Sequence, residues 1–236
     1  MFTDSIKYYD LIYSAMGKNY QQESRRLHQL IRQYKRSRGK RLLDVACGSG
    51  SHLKYLRKYY QVEGLELSRQ FLKLARQKLP GVPLHQGNMA DFSLNKTYDV
   101  ITCLFSSIGY VCTFLRLVQT IKNLQRHLNP GGLMIIEPWL FPENYKTGKP
   151  YAAIVDQPDL KIARLNTSKC RGNLSIIEFH YLIATSAGVK YFTEKHTLGL
   201  FRYEQYLEAL QIAKLKAVFD PAGLKERGLF IAINPV

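Results

Sequence analysis

One stretch constrains this chain more than any other. The apolar run Leu42-Leu43-Asp44-Val45-Ala46 breaks into Cys47-Gly48-Ser49-Gly50, and a lone acid, Glu66, follows sixteen residues after Gly50. A strand that ends in a Gly-x-Gly turn lets backbone approach a ligand closely, because glycine has no Cβ. A second strand, Gln61 to Leu67, then ends at a carboxylate suited to both hydroxyls of a ribose. Together these describe a nucleoside-bearing ligand at the carboxyl ends of parallel strands. The dinucleotide fingerprint G-x-G-x-x-G fails, because Leu53 occupies the place of its third glycine. An acid at the head of the loop, Asp44, is present instead.

Around this unit, strand and helix patterns alternate. An amphipathic helix is expected over Tyr20 to Tyr34, then a strand from Arg41 to Ala46 and a helix from Ser51 to Tyr59. Ser68 caps a helix from Arg69 to Lys78, which stops before Pro80. Short strand Pro83 to Gln86 precedes Tyr98 to Leu104, an apolar strand with the pattern of one covered on both faces. A helix over Phe114 to His127 stops at Asn129-Pro130-Gly131-Gly132, and Leu133 to Glu137 forms a fifth strand. Such alternation implies an α/β fold with a Rossmann-like, doubly wound parallel sheet.

The pattern changes between residues 138 and 199. Lys161 to Arg164, Ser175 to Ala184 and Lys190 to Leu198 read as strands, with Gly172-Asn173 and Ala187-Gly188 as turns. We expect an antiparallel β insertion there, a lid over the catalytic face within a single domain spanning 1–236. A helix, Arg202 to Ala213, and strands Lys216 to Phe219 and Gly228 to Ile233 finish the sheet.

Composition narrows the setting. At 236 residues the chain is long enough to bury a core without staples. No apolar run approaches the length of a membrane span, and the N-terminus lacks the pattern of a signal peptide, so a cytoplasmic protein is expected. Cys47, Cys103, Cys112 and Cys170 show no C-x-x-C spacing, which argues against zinc and against a disulfide framework; no metal is expected. The net charge is +16, and residues 1–80 hold 17 Lys and Arg against 6 Asp and Glu. That basic third suits an RNA-facing stripe, a funnel for an anionic small substrate, or a solvated helix end. The single aromatic residue within Arg32 to Arg41, Tyr34, forms no stacking platform, so nucleic acid is not the expected partner.

The form D-x-A-C-G-x-G resembles motif I of the class I S-adenosylmethionine-dependent methyltransferases. Further segments resemble a narrower family: Gly64-Leu65-Glu66-Leu67-Ser68, Leu84-His85-Gln86-Gly87-Asn88-Met89, Phe105-Ser106-Ser107-Ile108-Gly109-Tyr110, Glu137-Pro138-Trp139-Leu140-Phe141-Pro142-Glu143 and Arg227-Gly228-Leu229-Phe230. In this order they look like the N,N-dimethyltransferases of nucleotide-linked 3-amino-deoxysugars, of the desosamine and mycaminose type. The resemblance covers nearly the whole chain and implies S-adenosylmethionine as methyl donor. It assigns the donor to Tyr9, Asp44, Ala46, Gly48, Gly50, Glu66, Leu67, Asn88, Met89 and Leu104. The amino sugar falls to Trp139, Phe141, Pro142, Glu143, Arg164, His180 and Arg227, and a homodimer is implied as well. Asn88 stands where the family usually has aspartate facing the adenine amino group; its carbonyl still offers an acceptor. Leu140 replaces a second tryptophan, and Leu165-Asn166-Thr167 replaces a stretch that usually carries Ser-His. Tyr110 matches the desosamine-type enzymes, where mycaminose-type enzymes carry His.

Methyl transfer from a sulfonium is an in-line displacement, so alignment carries most of the catalysis, worth about 7–11 kcal/mol. Tyr110 is the expected residue for orienting the amine, with Glu137 or water taking the proton. By strand alternation alone, His180 and His196 read as core or surface residues. Another small amine or hydroxyl remains an alternative acceptor. A nucleic-acid acceptor is disfavoured, because Phe105-Ser106-Ser107-Ile108 replaces the Pro-Pro-aromatic run on which a flipped base stacks.

Overall fold

The computed structural model describes residues 2–225 and 227–236. Five strands, β1 (Arg41–Val45), β2 (Gln61–Glu66), β3 (Leu84–Gln86), β4 (Tyr98–Cys103) and β5 (Leu128–Ile136), run parallel. Two more, β10 (Lys216–Asp220) and β11 (Leu229–Ile233), complete a seven-stranded sheet of order β10-β11-β5-β4-β1-β2-β3. β11 pairs antiparallel with both β5 and β10. Every residue of β4 is buried, as the apolar run requires of a central strand.

Helices cover both faces. α2 (Tyr20–Tyr34) and α3 (Leu53–Leu56) bury Leu27, Leu30, Ile31, Leu53 and Leu56 against Leu42, Val100, Leu133 and Ile231. α5 (Phe114–Arg126) and α6 (Tyr203–Ile212) bury Leu117, Ile121, Tyr206 and Leu210 against Ile101, Met134 and Phe230 on the other side. α4 (Arg69–Lys78) is capped as its sequence indicates, with the Phe71 N–H donating to the Ser68 hydroxyl at 3.4 Å. None of the described helices is long and apolar enough to cross a membrane.

A second sheet holds β6 (Tyr151–Gln157), β7 (Leu160–Arg171), β8 (Leu174–Thr185) and β9 (Gly188–Gly199), antiparallel and in sequence order. Its inner face, including Ala153, Ile162, Ile177, Phe179 and Tyr181, packs on Ile12 of α1 (Tyr9–Ala15) and on Tyr110 and Trp139.

Four expectations are corrected. The helix expected over Ser51 to Tyr59 contracts to four residues between turns. β6 is absent from the sequence reading, because its only buried side chains are the small Ala153 and Val155. β7 continues through the polar residues Asn166 to Arg171, which ladder pairing with β8 holds extended. α5 ends before Asn129 as expected, but the strand expected from Leu133 already begins at Leu128, so Asn129 to Gly132 lie inside β5 as a register shift. Gly131, at φ +70°, turns its carbonyl to accept the N–H groups of Arg36 and Ser37, each at 2.8 Å.

Candidate active site

The turn after β1 is built around Glu66. The Gly48 N–H donates to one carboxylate oxygen of Glu66 at 2.9 Å, and the Ser68 N–H donates to the other at 2.8 Å. Glu66 is 8 % exposed and has no cationic partner among the described residues. Burial raises its pKa against the pull of those N–H groups. The two glycines differ in purpose. A Cβ on Gly48, at φ +56°, meets nothing within 4 Å, so this backbone faces open space. One on Gly50, at φ +74°, stands 2.5 Å from Cδ1 of buried Leu79, so Gly50 admits α4 and its C-terminal turn rather than a ligand.

Asp44 is buried at the end of β1 and accepts the Thr102 hydroxyl at 2.7 Å. Desolvation pushes its pKa up to about 6, against the opposing influence of His52 and Thr102. A cleft of about 40 Å³ runs beside it, lined by Tyr9, Asp44, Ala46, Gly48 and Leu104 among others. This cleft shares Tyr9, Phe105 and Ser107 with a cavity of about 390 Å³. Tyr110, Trp139, Leu140, Arg164, His196 and Arg227 contribute to the walls of that cavity. A larger depression of about 710 Å³ between the 90–97 loop and α5 shares no lining residue with either and stands apart from the glycine turn.

Two guanidinium groups reach the cavity. Arg227 donates to the Ser106 hydroxyl at 2.9 Å and lies 5.1 Å from the centre of the Trp139 ring. Arg164 is 4 % exposed, sits between the rings of Tyr13 and Phe179, and has no carboxylate partner among the described residues. Its Nε is buried without a hydrogen-bond partner. A buried charge without a counter-charge is costly unless a ligand supplies one.

The loop after β4 carries strain, with Phe105, Ser106 and Cys112 all at positive φ near +52° to +62°. Glu137 supports it: the Phe105 N–H donates to the Glu137 carboxylate at 2.6 Å. Glu137 is therefore buried beneath the loop and does not line the cavity, contrary to its expected role as proton acceptor. Phe141 turns into the core against Tyr203, Tyr206, Phe219 and Phe230. Pro142 and Glu143 form an exposed 3-10 turn outside the cavity. His180 points to the outer face of the second sheet, where its Nδ1 lies 2.7 Å from the Tyr191 hydroxyl. Leu67, 45 % exposed, lines neither the cleft nor the cavity, and neither do Asn88 and Met89. The Asn88 carbonyl accepts the Ala90 N–H at 3.0 Å, so the acceptor expected to face an adenine already serves its own turn.

Sequence reasoning passed over three features. Asp10 accepts the hydroxyls of Ser49 at 2.7 Å and Ser51 at 2.9 Å, tying α1 to the glycine turn. Glu23 holds both Lys18 and His52 at 2.7 Å beneath that turn. Nδ1 of His196 lies 2.6 Å from the Tyr110 hydroxyl. Apart from Lys18 with Glu23 these are contacts between residues far apart in the chain, which no local pattern announces.

This strand order, with an acid-headed glycine turn and a buried carboxylate after the second strand, defines a class I S-adenosylmethionine-dependent methyltransferase. Residues 42–132 match the model of a methyltransferase domain. The chain is 39 % identical over 227 residues to the dTDP-3-amino-3,6-dideoxy-α-D-glucopyranose N,N-dimethyltransferase of Streptomyces fradiae, spanning 95 % of this chain and 89 % of that one. It is 36 % identical over 232 residues to the dTDP-3-amino-3,4,6-trideoxy-α-D-glucopyranose N,N-dimethyltransferase of Streptomyces venezuelae, spanning 98 % of each. The crystal structure of Streptomyces venezuelae DesVI superposes with a TM-score of 0.93 at 36 % identity over the whole of both chains. That of SAM-bound CalS10, an amino pentose methyltransferase from Micromonospora echinaspora, gives 0.89 at 34 % identity, covering 99 % of this chain and 98 % of that one. The chain belongs to the family of amino-deoxysugar N,N-dimethyltransferases.

The residues present fit the methyl donor. Gly48 leaves open a cradle that a Cβ would enter, and Glu66 offers a buried carboxylate whose only described partners are backbone N–H groups.

Proposed function

We propose that this enzyme methylates, in two rounds, the amino group of a nucleotide-linked amino-deoxysugar. One observation carries the reading: a cleft lined by Asp44 and Gly48, whose turn is hydrogen-bonded to Glu66, opens through Tyr9, Phe105 and Ser107 onto a cavity that holds a buried guanidinium without a counter-charge. When bound, S-adenosylmethionine supplies a methyl group already electrophilic on sulfonium. Glu66 would hold the ribose hydroxyls of that donor, and the Gly48 backbone its methionine end. Arg164 and Arg227 receive the diphosphate, for which planar, always-charged guanidinium groups are suited. The rings of Tyr9, Tyr13, Phe105 and Trp139 exclude water, and the Tyr110 hydroxyl orients the amine. The second sheet, within the segment 138–199, acts as the lid and substrate wall of a single domain.

The fate of the acceptor decides the test. Incubation with S-adenosylmethionine and a TDP-linked 3-amino-3,6-dideoxyhexose, followed by mass spectrometry, is expected to show one and then two added methyl groups, abolished by Glu66→Ala. Cofactor binding without any methylated sugar would overturn the acceptor.

We also infer a homodimer through the outer face of the second sheet. Ile154, Ala163, Leu182 and Tyr191 lie directly across from one another in register, and Ile154, Leu182 and Tyr191 are exposed at 60, 43 and 61 %. A contiguous exposed apolar row of this kind is the mark of an interaction surface. Sedimentation of the wild type as a dimer and of Leu182→Lys as a monomer is expected; a monomeric wild type would refute it. The four free thiols support a reducing, cytoplasmic setting.

A further inference from the structure

Behind Tyr110, at the cavity wall, stand two titratable side chains that the resemblance did not assign, His196 and Glu194. The Tyr110 hydroxyl lies 2.6 Å from Nδ1 of His196. On the far side of the imidazole, Nε2 stands 3.8 Å from the Glu194 carboxylate, an ion-pair distance, and is buried with no hydrogen-bond partner of its own. His196 is 1 % exposed, with Phe2 and Phe179 against its ring, so water does not compete for it. Glu194 is held in turn by the N-terminal segment. Its Oε1 accepts the Thr3 and Ser5 N–H groups at 2.8 and 3.0 Å, and its Oε2 accepts the Ser5 hydroxyl at 2.7 Å.

We propose that His196 and Glu194 are positioning residues that turn the Tyr110 oxygen toward the substrate amine and let it pass that amine's proton inward. This rests on the amino-sugar reading above. Each methylation makes a C–N bond at the expense of the donor's C–S bond, the sulfur leaving as a neutral thioether, and puts a surplus proton on nitrogen. The N–H bond breaks toward the Tyr110 oxygen while the Tyr110 O–H proton moves to Nδ1 of His196. The phenol is regenerated neutral in the same event, and the imidazolium so formed faces the Glu194 carboxylate. Once the methylated sugar leaves, the proton returns by the same path to solvent in the cavity.

The charge states agree with this order. Burial keeps the Tyr110 pKa well above that of an ordinary tyrosine, so the phenol does not stand ionised. Burial lowers the His196 pKa more than Glu194 raises it, so the ring is a neutral acceptor at rest. Burial alone would raise Glu194, but His196 and the Ser5 and Thr3 donors outweigh it and hold the carboxylate at about 2. Facing this chain from the neighbouring strands are Arg164 on β7, which disfavours the imidazolium, and Tyr181 on β8, which disfavours an ionised Tyr110. A free His196 nitrogen that accepts from Tyr110 leaves the phenol's lone pairs toward the cavity; a protonated Nδ1 would reverse the bond and close the route.

Two measurements test the proposal. Ring ¹⁵N shifts of His196, assigned by their loss in His196→Asn, report the tautomer in the free enzyme without any turnover. The expected result is Nε2–H with an accepting Nδ1, perturbed in Tyr110→Phe; a protonated Nδ1 near neutral pH would overturn the proposal. In turnover, His196→Asn and Glu194→Gln are expected to lower kcat by about tenfold or more with sugar KM and donor Kd within twofold of wild type. Glu194→Gln keeps one acceptor oxygen for the Thr3 and Ser5 N–H groups, and with kcat read at a temperature where the variant is fully folded its loss would report charge rather than unfolding. The double variant Tyr110→Phe with His196→Asn is expected to be no slower than its slower single parent, as parts of one unit behave. Wild-type kcat in His196→Asn would refute the proposal. A wild type that leaves the amino sugar unmethylated would instead refute the acceptor, while the tautomer still decides the direction of the hydrogen bond.

Discussion

The two glycines of the turn after β1 have the same spacing role in the sequence and different neighbours in space, so replacing each with alanine should separate binding from folding. At Gly48 the new methyl meets nothing within 4 Å. The left-handed backbone at φ +56° costs an L-residue about 1–2 kcal/mol, and the stiffer unfolded chain returns about 0.4–1. Gly48→Ala should therefore lose about 1 kcal/mol of stability or less. At Gly50 the same strain applies, and the methyl falls 2.5 Å from Leu79 Cδ1 and 3.5 Å from the Ala75 Cβ. Leu79 and Ala75 are buried and cannot swing into solvent. Overpacking of this kind costs a further 1–3 kcal/mol or so, giving a net loss of about 2–3 kcal/mol. For a chain of this size that corresponds to about 5–10 °C in Tm. Urea melts and calorimetric titration with S-adenosylmethionine read both quantities. Gly48→Ala should fold nearly as the wild type but bind the donor at least tenfold more weakly. Gly50→Ala should melt early and, while folded, bind almost normally. Donor affinity intact in Gly48→Ala, or lost in Gly50→Ala without loss of stability, would refute this division of roles.

The buried guanidinium makes an opposed pair of predictions. Arg164→Met should leave the free protein equally or more stable, because an uncompensated charge is removed, while sugar KM rises about 10- to 100-fold; unchanged KM would exclude Arg164 from the anion site. Asn88→Asp restores a second acceptor oxygen beside the one engaged by Ala90, and should tighten donor binding about three- to tenfold by calorimetry. Weaker binding in that variant would show that Asn88 is not at the adenine. Glu194, held at about 2 against an ordinary 4.5, contributes stability that is present above pH 4.5 and lost as pH falls toward 2. Glu194→Gln should then cost about 2–3 kcal/mol in urea melts at pH 7, and its stability curve should converge on that of the wild type near pH 2. Parallel curves would refute the assignment.

Features encoded within a few residues were legible before the structure. The apolar strands, the Ser68 cap, the Asp44 to Gly50 turn and the acid at Glu66 declare themselves by period, propensity and spacing, because their chemistry is local. From these the parallel sheet and the class of ligand followed, and the resemblance of Phe105 to Tyr110 and Glu137 to Glu143 supplied the acceptor. Only the tertiary structure decided which side chains of those segments face the cavity. Trp139 and Phe141 lie two apart in one motif, yet one lines the cavity and the other packs with Tyr206 and Phe230, since both lie beyond the end of β5, where strand alternation no longer fixes which way a side chain faces. Glu137 is spent on the Phe105 N–H because a strained loop needs that acceptor, a demand no pattern announces. The polar half of β7 is a strand through pairing alone. His196 alternates like any strand residue, and becomes part of an acid–base chain only because β9 crosses the loop after β4 while the N-terminal segment folds back onto Glu194. Local chemistry set the donor site; long-range packing set everything that faces the sugar.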